Sequence, residues 1–598
     1  MVEYKPMATS PAERARRFLE DESAFRLGAL VTESPHPKTA TLAATLREDT
    51  AAGVRLLLSV DSDIPPTARR ACSGREFADL VAAMTETLRR GARIFLTGCG
   101  ATGRLSLLLE ASWRRFWRTH PELQREYPFL PDGVTGLMAG GEYALIRSVE
   151  GFEDFPDFGR LQLRQAGVTN RDLVVAITEG GETPFVIGTV WQGVEVGARV
   201  FFVYNNPSEL LCECVERSRE VIRDERVTKL DLATGPMALT GSTRMQAATT
   251  SLLVVGAALE TALAAILSDS LPEGELARLA VVRRSPAEYP VLFEAVLGQL
   301  AAPGSVTAIC DAIECEEAAY RRKGLVTYLA SSFLLDVLGD TTERSPTFMI
   351  PPFRTSDDRT SPRPWAFVKN PLLTTPDAWR DMLGRDPAGL AWGRADYERV
   401  NAPAGLCENP PRLSKAEILK FQIGREDDPS RTDVAESVLI AILAGQEFPT
   451  SMAAGHPFRE AFDGMSRRFT RTAVFAVGQA CRISANAPAL IVPCELPASP
   501  LGLWAHLALK MALNALSTAT MARMGRVKGN SMVYVSPSNK KLIDRGTRLV
   551  AQLTGLSYEE ACIALHESMA ELESRTDDAD EPISPVALAV ERILARRA

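Results

Sequence analysis

Residues 93–104 read Arg93–Ile94–Phe95–Leu96–Thr97–Gly98–Cys99–Gly100–Ala101–Thr102–Gly103–Arg104, and the fold turns on this stretch. Ile94–Phe95–Leu96 is a short apolar run of the kind that forms a buried parallel strand. Three glycines and a threonine follow, and then Leu105–Ser106–Leu107–Leu108–Leu109, which reads as a helix. A glycine turn between strand and helix aims backbone N–H groups and the positive helix end at one point, which suits an anion. Gly100, Thr102 and Gly103 are the candidate anion-binding residues of this loop. A lone glycine loop is also an ordinary strand-to-helix turn, so the reading needs support.

Two further turns supply it. Asp172–Ile177 reads as a strand, followed by Thr178–Glu179–Gly180–Gly181–Glu182–Thr183–Pro184, where Thr183 fits an N-cap and Pro184 a first helical position. Thr178, Gly181 and Thr183 join the candidates. Glu179 and Glu182 would repel a phosphate and are expected to point outward. Thr240–Gly241–Ser242–Thr243–Arg244–Met245 opens a long apolar helix to about Leu267 and adds Ser242, Thr243 and Arg244.

The 598 residues are too many for one ordinary core. With 46% hydrophobic and 24% charged residues the composition is that of a globular protein. The net charge of −8, without a lysine- or arginine-rich block, argues against nucleic acid as a partner. Ten scattered cysteines and five scattered histidines form neither a disulfide framework nor a metal-ligand pattern, so reduced thiols in the cytoplasm, no metal and no cofactor are expected. The first residues lack the apolar core of a secretory signal, and the apolar helix near Met245–Leu267 carries Glu260, so no membrane span is expected.

The three turns carry a resemblance. Gly-x-Gly-x-Thr-Gly followed by a Thr-x-x-Gly-x-Thr loop resembles the SIS (sugar isomerase) domain, a binder of phosphorylated sugars. GLMAGGEYALIRSVEGFED (136–154) and ALTGSTRMQAATT (238–250) are similar to segments of the N-acetylmuramic acid 6-phosphate etherases and their animal relative, glucokinase regulatory protein. Thr102 stands where the SIS pattern usually has Ser, and Gly180 where the second loop usually has Ser. The implied fold class is α/β, with two SIS domains of doubly wound parallel sheets flanked by helices, and a C-terminal helical domain.

Taken in order, residues 1–60 read as a helical arm around a polar connector, Val31–Thr39. Residues 61–285 form the first α/β domain, with strands near 93–97, 136–139, 172–178, 199–204 and 228–232. Residues 286–498 form a second, with strands at Val306–Ile309, Leu325–Leu329, Ala473–Val477 and Leu490–Val492, and with surface excursions at 351–364 and 385–412. Its first turn, Ala330–Ser331–Ser332, has no glycine cradle. Residues 499–598 hold a helical closing segment, of which 506–535 resembles the last core helix of the etherases, and a small helical tail with an acidic break at 577–581.

Etherase chemistry uses one carboxyl group to remove the proton beside the opened sugar's aldehyde and another to protonate the departing lactyl oxygen. The family's base sits in Glu-Gly-x-Glu-Asp, which maps onto Glu150–Gly151–Phe152–Glu153–Asp154 and so implies Glu153. The acid's place in the first half is taken by Trp113. Asp340–Thr341–Thr342–Glu343–Arg344–Ser345–Pro346–Thr347–Phe348 matches the acid's segment in the second half and implies Glu343, with Lys510 on the closing helix as a further substrate contact. The resemblance thus implies one composite site per chain for a phosphorylated hexose or amino sugar. Three activities are open: an ether-cleaving lyase, a sugar-phosphate-sensing regulator that docks a sugar kinase, and an aldose–ketose isomerase.

Overall fold

The computed structural model describes residues 10–149, 151–479, 487–574 and 583–597. Glu150 and the acidic break at 577–581 lie outside them. Two five-stranded sheets organise the chain. The first is built from β1 (Ile94–Gly98), β2 (Val134–Met138), β3 (Leu173–Thr178), β4 (Arg199–Tyr204) and β5 (Val227–Asp231) in the order β2-β1-β3-β4-β5. The second uses β6 (Leu325–Leu329), β7 (Ala366–Lys369), β8 (Ser437–Ala444), β9 (Arg471–Gly478) and β10 (Ala489–Pro493) in the order β7-β6-β8-β9-β10. All pairings within both sheets are parallel. Numbered within its own half, each sheet therefore runs second-first-third-fourth-fifth, the same winding twice. The strands are apolar because helices cover both faces.

Six helices position the site: α1 (Ala101–Thr119), α2 (Pro184–Glu195), α3 (Gln246–Leu267), α4 (Leu334–Phe348), α5 (Leu503–Arg523) and α6 (Lys540–Thr554). α3 and α5 pack together although far apart in sequence, and both are buried along nearly their whole length. The 22-residue α3 is long and apolar enough to cross a membrane, and it lies inside the protein. One apolar core runs unbroken through both halves, joining Leu96 of β1, Leu253 of α3, Tyr328 of β6 and Leu509 of α5.

Four expectations are corrected. Val306–Ile309 lies within the helix Pro303–Arg321, whose buried residues Val306, Ile309 and Ile313 recur at helical spacing. The central strand of the second sheet is instead Ser437–Ala444, and β7 was also not anticipated. The segment 385–412 does not run free over the surface. Its Trp392 and Tyr397 are buried against Phe152 and Phe158, and Arg385 pairs with Glu110 and Glu142, each at 2.7 Å. Thr32, Glu33 and His36 of the connector are buried rather than solvated.

Candidate active site

A cavity of about 200 Å³ opens at the carboxyl ends of β1 and β3, between the two halves and beneath α6. Four helix beginnings meet there. Gly100 and Ala101 bring the start of α1, Thr183 the start of α2, Ser242–Thr243–Arg244 the turn before α3, and Asn539 with Lys541 the start of α6. Helix starts carry partial positive charge and unsatisfied N–H groups, so their convergence suits an anion. Gly100 adopts φ +55°, a left-handed conformation that lets β1 turn directly into α1. From the second half, Glu343, Pro346 and Thr347 of α4 form the opposite wall.

The charges are arranged in pairs. Arg104 of α1 is ion-paired with Glu343 and donates through Nη2 to the carbonyl of Ala144 at 2.9 Å. Lys541 meets Glu182 at 2.9 Å, and Arg217 meets the same carboxylate at 2.9 Å. Burial pushes Glu182 up, but these two cations outweigh it and hold the group below the usual range. Arg545 donates to Glu33 at 3.0 and 2.6 Å, and Arg548 adds a bond of 2.7 Å. Burial is again opposed by the arginines, and Glu33 is held at about 2. Glu182 therefore does not point outward, as its place in the loop suggested, but fastens α6 over the cavity.

Glu153 accepts a hydrogen bond from Asn539 Nδ2 at 2.6 Å and one from the Cys99 thiol at 3.5 Å. Burial raises its carboxyl above the ordinary range, with Lys541 pulling the other way. Burial and the adjoining Glu153 push the Cys99 thiol far up, so it is a neutral donor. Glu179, likewise expected to face outward, is buried on the cavity wall and is pushed by desolvation to about 7.

Of the residues singled out from sequence, Gly100, Glu153, Thr183, Ser242, Thr243, Arg244 and Glu343 line this one cavity. Thr102, Gly103, Thr178, Gly181 and Lys510 are not among its lining residues. The Thr102 hydroxyl is turned into its own loop, accepting from Cys99 N at 3.0 Å and donating to Cys99 O at 2.9 Å. Gly103 lets α1 approach β2, since a Cβ there would sit 2.5 Å from Met138 Cγ. Thr178 shares a hydrogen bond with Thr183 at 3.2 Å, and Gly181, at φ +76°, shapes the turn. Lys510 donates to Arg244 O at 2.6 Å and to Thr249 Oγ1 at 3.0 Å, and borders a smaller, mostly apolar chamber behind Arg104 and Glu343. The guanidinium of Arg244 faces the second half, bonded to Asp340 at 3.1 Å and to Asn514 and Thr518, each at 3.0 Å.

Sequence reasoning did not anticipate Asn539, Lys541 and Arg545. The local signal for Asn539 was that of a helix cap, and its side chain does accept from Leu542 N at 2.9 Å. Nothing local announced that α6 would close over a cavity whose Glu153 lies 386 positions earlier.

Residues 76–192 match the family described as Glucokinase regulatory protein N-terminal SIS domain. The chain is 32% identical over 223 residues to the N-acetylmuramic acid 6-phosphate etherase of Rippkaea orientalis, covering 37% of this chain and 64% of that protein. It is 33% identical over 225 residues to the enzyme of that name from Prochlorococcus marinus, covering 37% and 62%, and 34% identical over 180 residues to that of Aliivibrio fischeri, covering 30% and 53%. The chain thus spans between 53% and 64% of the length of these curated relatives. Residues 76–192, which hold β1, β2 and β3, are thus similar to the N-terminal SIS domain of glucokinase regulatory protein.

Proposed function

We propose that the cavity binds a phosphorylated amino sugar and that the protein is a carbon–oxygen lyase of the kind the curated relatives are named for, cleaving the ether of N-acetylmuramic acid 6-phosphate. The observation that carries this reading is that Glu153 from one half and Glu343 from the other line a single cavity into which four helix starts point. The helix starts and the hydroxyls of Thr183, Ser242 and Thr243 hold the phosphate. Glu153, ionised, takes the proton from carbon 2 of the opened sugar. Electrons move to expel the lactyl oxygen from carbon 3, Glu343 delivers a proton to it, and water adds to the double bond.

One observation favours a second reading. A carboxyl group that must deliver a proton is poorly served by an arginine partner, and Glu343 is gripped by Arg104. If that pair persists with ligand bound, the cavity senses a sugar phosphate without turning it over, as a regulator that docks a sugar kinase. The test is lactate release from N-acetylmuramic acid 6-phosphate by the purified protein, together with exchange of the carbon-2 proton in heavy water. Release and exchange support the lyase. Tight binding with neither removes it and leaves the regulator.

A further inference from the structure

Two arginines on the cavity wall each keep a donor that nothing accepts from. Arg104 donates through Nη1 to Glu343 and through Nη2 to the carbonyl of Ala144. Arg244 donates through Nη1 to Asp340 and Asn514 and through Nη2 to Thr518. The Nε of each is buried and has no hydrogen-bond partner among the described residues. The two residues are only 8% and 5% exposed, so bulk water does not complete them. A buried N–H left unpaired is costly, and native proteins retain one chiefly where something else completes it. Both arginines line the large cavity and also the smaller chamber behind it, as Glu343 does. The two side chains therefore stand on the boundary between the two spaces, together with Glu343.

A guanidinium N–H is completed by an oxygen, and best by a carboxylate, whose two oxygens match the side-by-side donors of the planar group. The chamber says what is attached to that carboxylate. It holds about 80 Å³ and is walled largely by apolar side chains, among them Leu105, Leu252, Leu335 and Leu513. Asp336, paired with His506 at 2.8 Å, lines it too and would repel an anion placed inside. The arrangement fits a carboxylate held at the arginines with a small uncharged group behind it. We propose that Arg104 and Arg244 form a subsite for a carboxylate carried on the sugar's ether substituent at carbon 3, with the methyl group of that substituent entering the apolar chamber. The inference rests on the reading of the cavity as a phosphosugar site with Glu343 beside the ether oxygen. In a 2-hydroxyacid ether a single carbon separates that oxygen from the carboxylate. A substituent that reaches Glu343 therefore also reaches Glu343's own partner, Arg104. The phosphate stays at the helix starts, and the arginines hold the second anion apart from it. Sharing Arg104 with the ligand also loosens its hold on Glu343, the group that must deliver a proton.

The experiment is titration calorimetry on the full-length protein at pH 7 with three ligands made unreactive by reduction of the aldehyde. They are the alditol of N-acetylmuramic acid 6-phosphate, the same compound with its carboxylate converted to a carboxamide, and the alditol of N-acetylglucosamine 6-phosphate, which has a bare hydroxyl at carbon 3. The carboxylate should bind about tenfold more tightly than the carboxamide, the size of one charge-assisted contact. Arg104→Gln should reduce that ratio to about twofold or less. Arg104→Lys, which keeps the charge without the planar fork, should reduce it to about threefold. Comparable thermal melting of the variants guards against a folding defect, and the ratio in the unaltered protein tests the proposal without them. A ratio near one there, with the bare-hydroxyl alditol still binding, overturns the proposal and leaves the phosphosugar reading intact. A tenfold ratio that survives Arg104→Gln does the same. If none of the three binds, both readings fall.

Discussion

Glu153 and Glu343 reach the cavity in different company, and replacing each should separate their roles. Glu153→Gln should stop both lactate release and carbon-2 exchange, whereas Glu343→Gln should stop release and still permit exchange, because the carbanion forms and is reprotonated. Each loss should be about 100-fold or more, the usual scale for positioned acid–base groups. Equal loss of exchange in both variants would refute this assignment. Glu179 makes a second residue-scale prediction. Its carboxyl is raised from 4.5 to about 7, chiefly by desolvation. A raised carboxyl favours the folded state fully below the unfolded value, and that contribution disappears as pH climbs through the folded one. Glu179→Gln should therefore become progressively more stable than the unaltered protein between about pH 4.5 and 7, by up to about 3 kcal/mol. Melting curves of the two across that range test it, and parallel curves would contradict it. At this scale the sequence was informative where backbone conformation forces a residue type. Gly100 is legible because its left-handed φ excludes most side chains. The Lys541–Glu182 and Arg545–Glu33 pairs were not legible, because contacts between residues 359 and 512 positions apart leave no local spacing to read.

Elements show the same division. The strands of the first sheet were found within two residues of their places because a strand covered on both faces is a short apolar run bounded by turns. That reasoning misassigned Val306–Ile309, since three apolar residues around a threonine fit a buried helix as well as a strand, and it passed over SVLIAILA at 437–444, whose Leu and Ala content suits either. α4 is the element on which the two halves meet. Within one turn, Asp340 holds Arg244 and Glu343 holds Arg104, while fully buried Arg344 joins Asp340 and Glu316, each at 2.8 Å. Arg344→Met would strand Glu316 and leave Asp340 with Arg244 as its cation, and should destabilise the protein by about 3–5 kcal/mol, seen as a large fall in melting temperature. A fall of only a degree or two would show the network to be dispensable. At the start of α6, Asn539→Ala removes both the cap and the bond to Glu153. About 1 kcal/mol of helix stability should be lost, with faster amide exchange confined to the first turns of Lys540–Thr554.

Across the whole molecule the winding is duplicated, and the two halves differ at the turn after the first strand of each sheet. In the second half the turn after β6 is already occupied by the protein: Ser332 N donates to Glu447 Oε1 at 2.8 Å, and Arg115 donates to Ser332 O at 2.6 Å. A carboxylate of the chain thus sits where that helix start would otherwise receive an anion. Calorimetry with a phosphosugar should give one site per chain, and two equal sites would contradict the division of labour between the halves. The pairing of Glu33 with Arg545 has a consequence in time. The ribosome makes the segment that carries Glu33 first and the helix that caps the cavity 512 positions later. A nascent chain that has already folded its first sheet therefore still has an unroofed cavity, with Glu182 held by Arg217 alone and Glu33 without Arg545 and Arg548. The roof is the last part of the cavity to be made, because α6 emerges after every other segment that lines it.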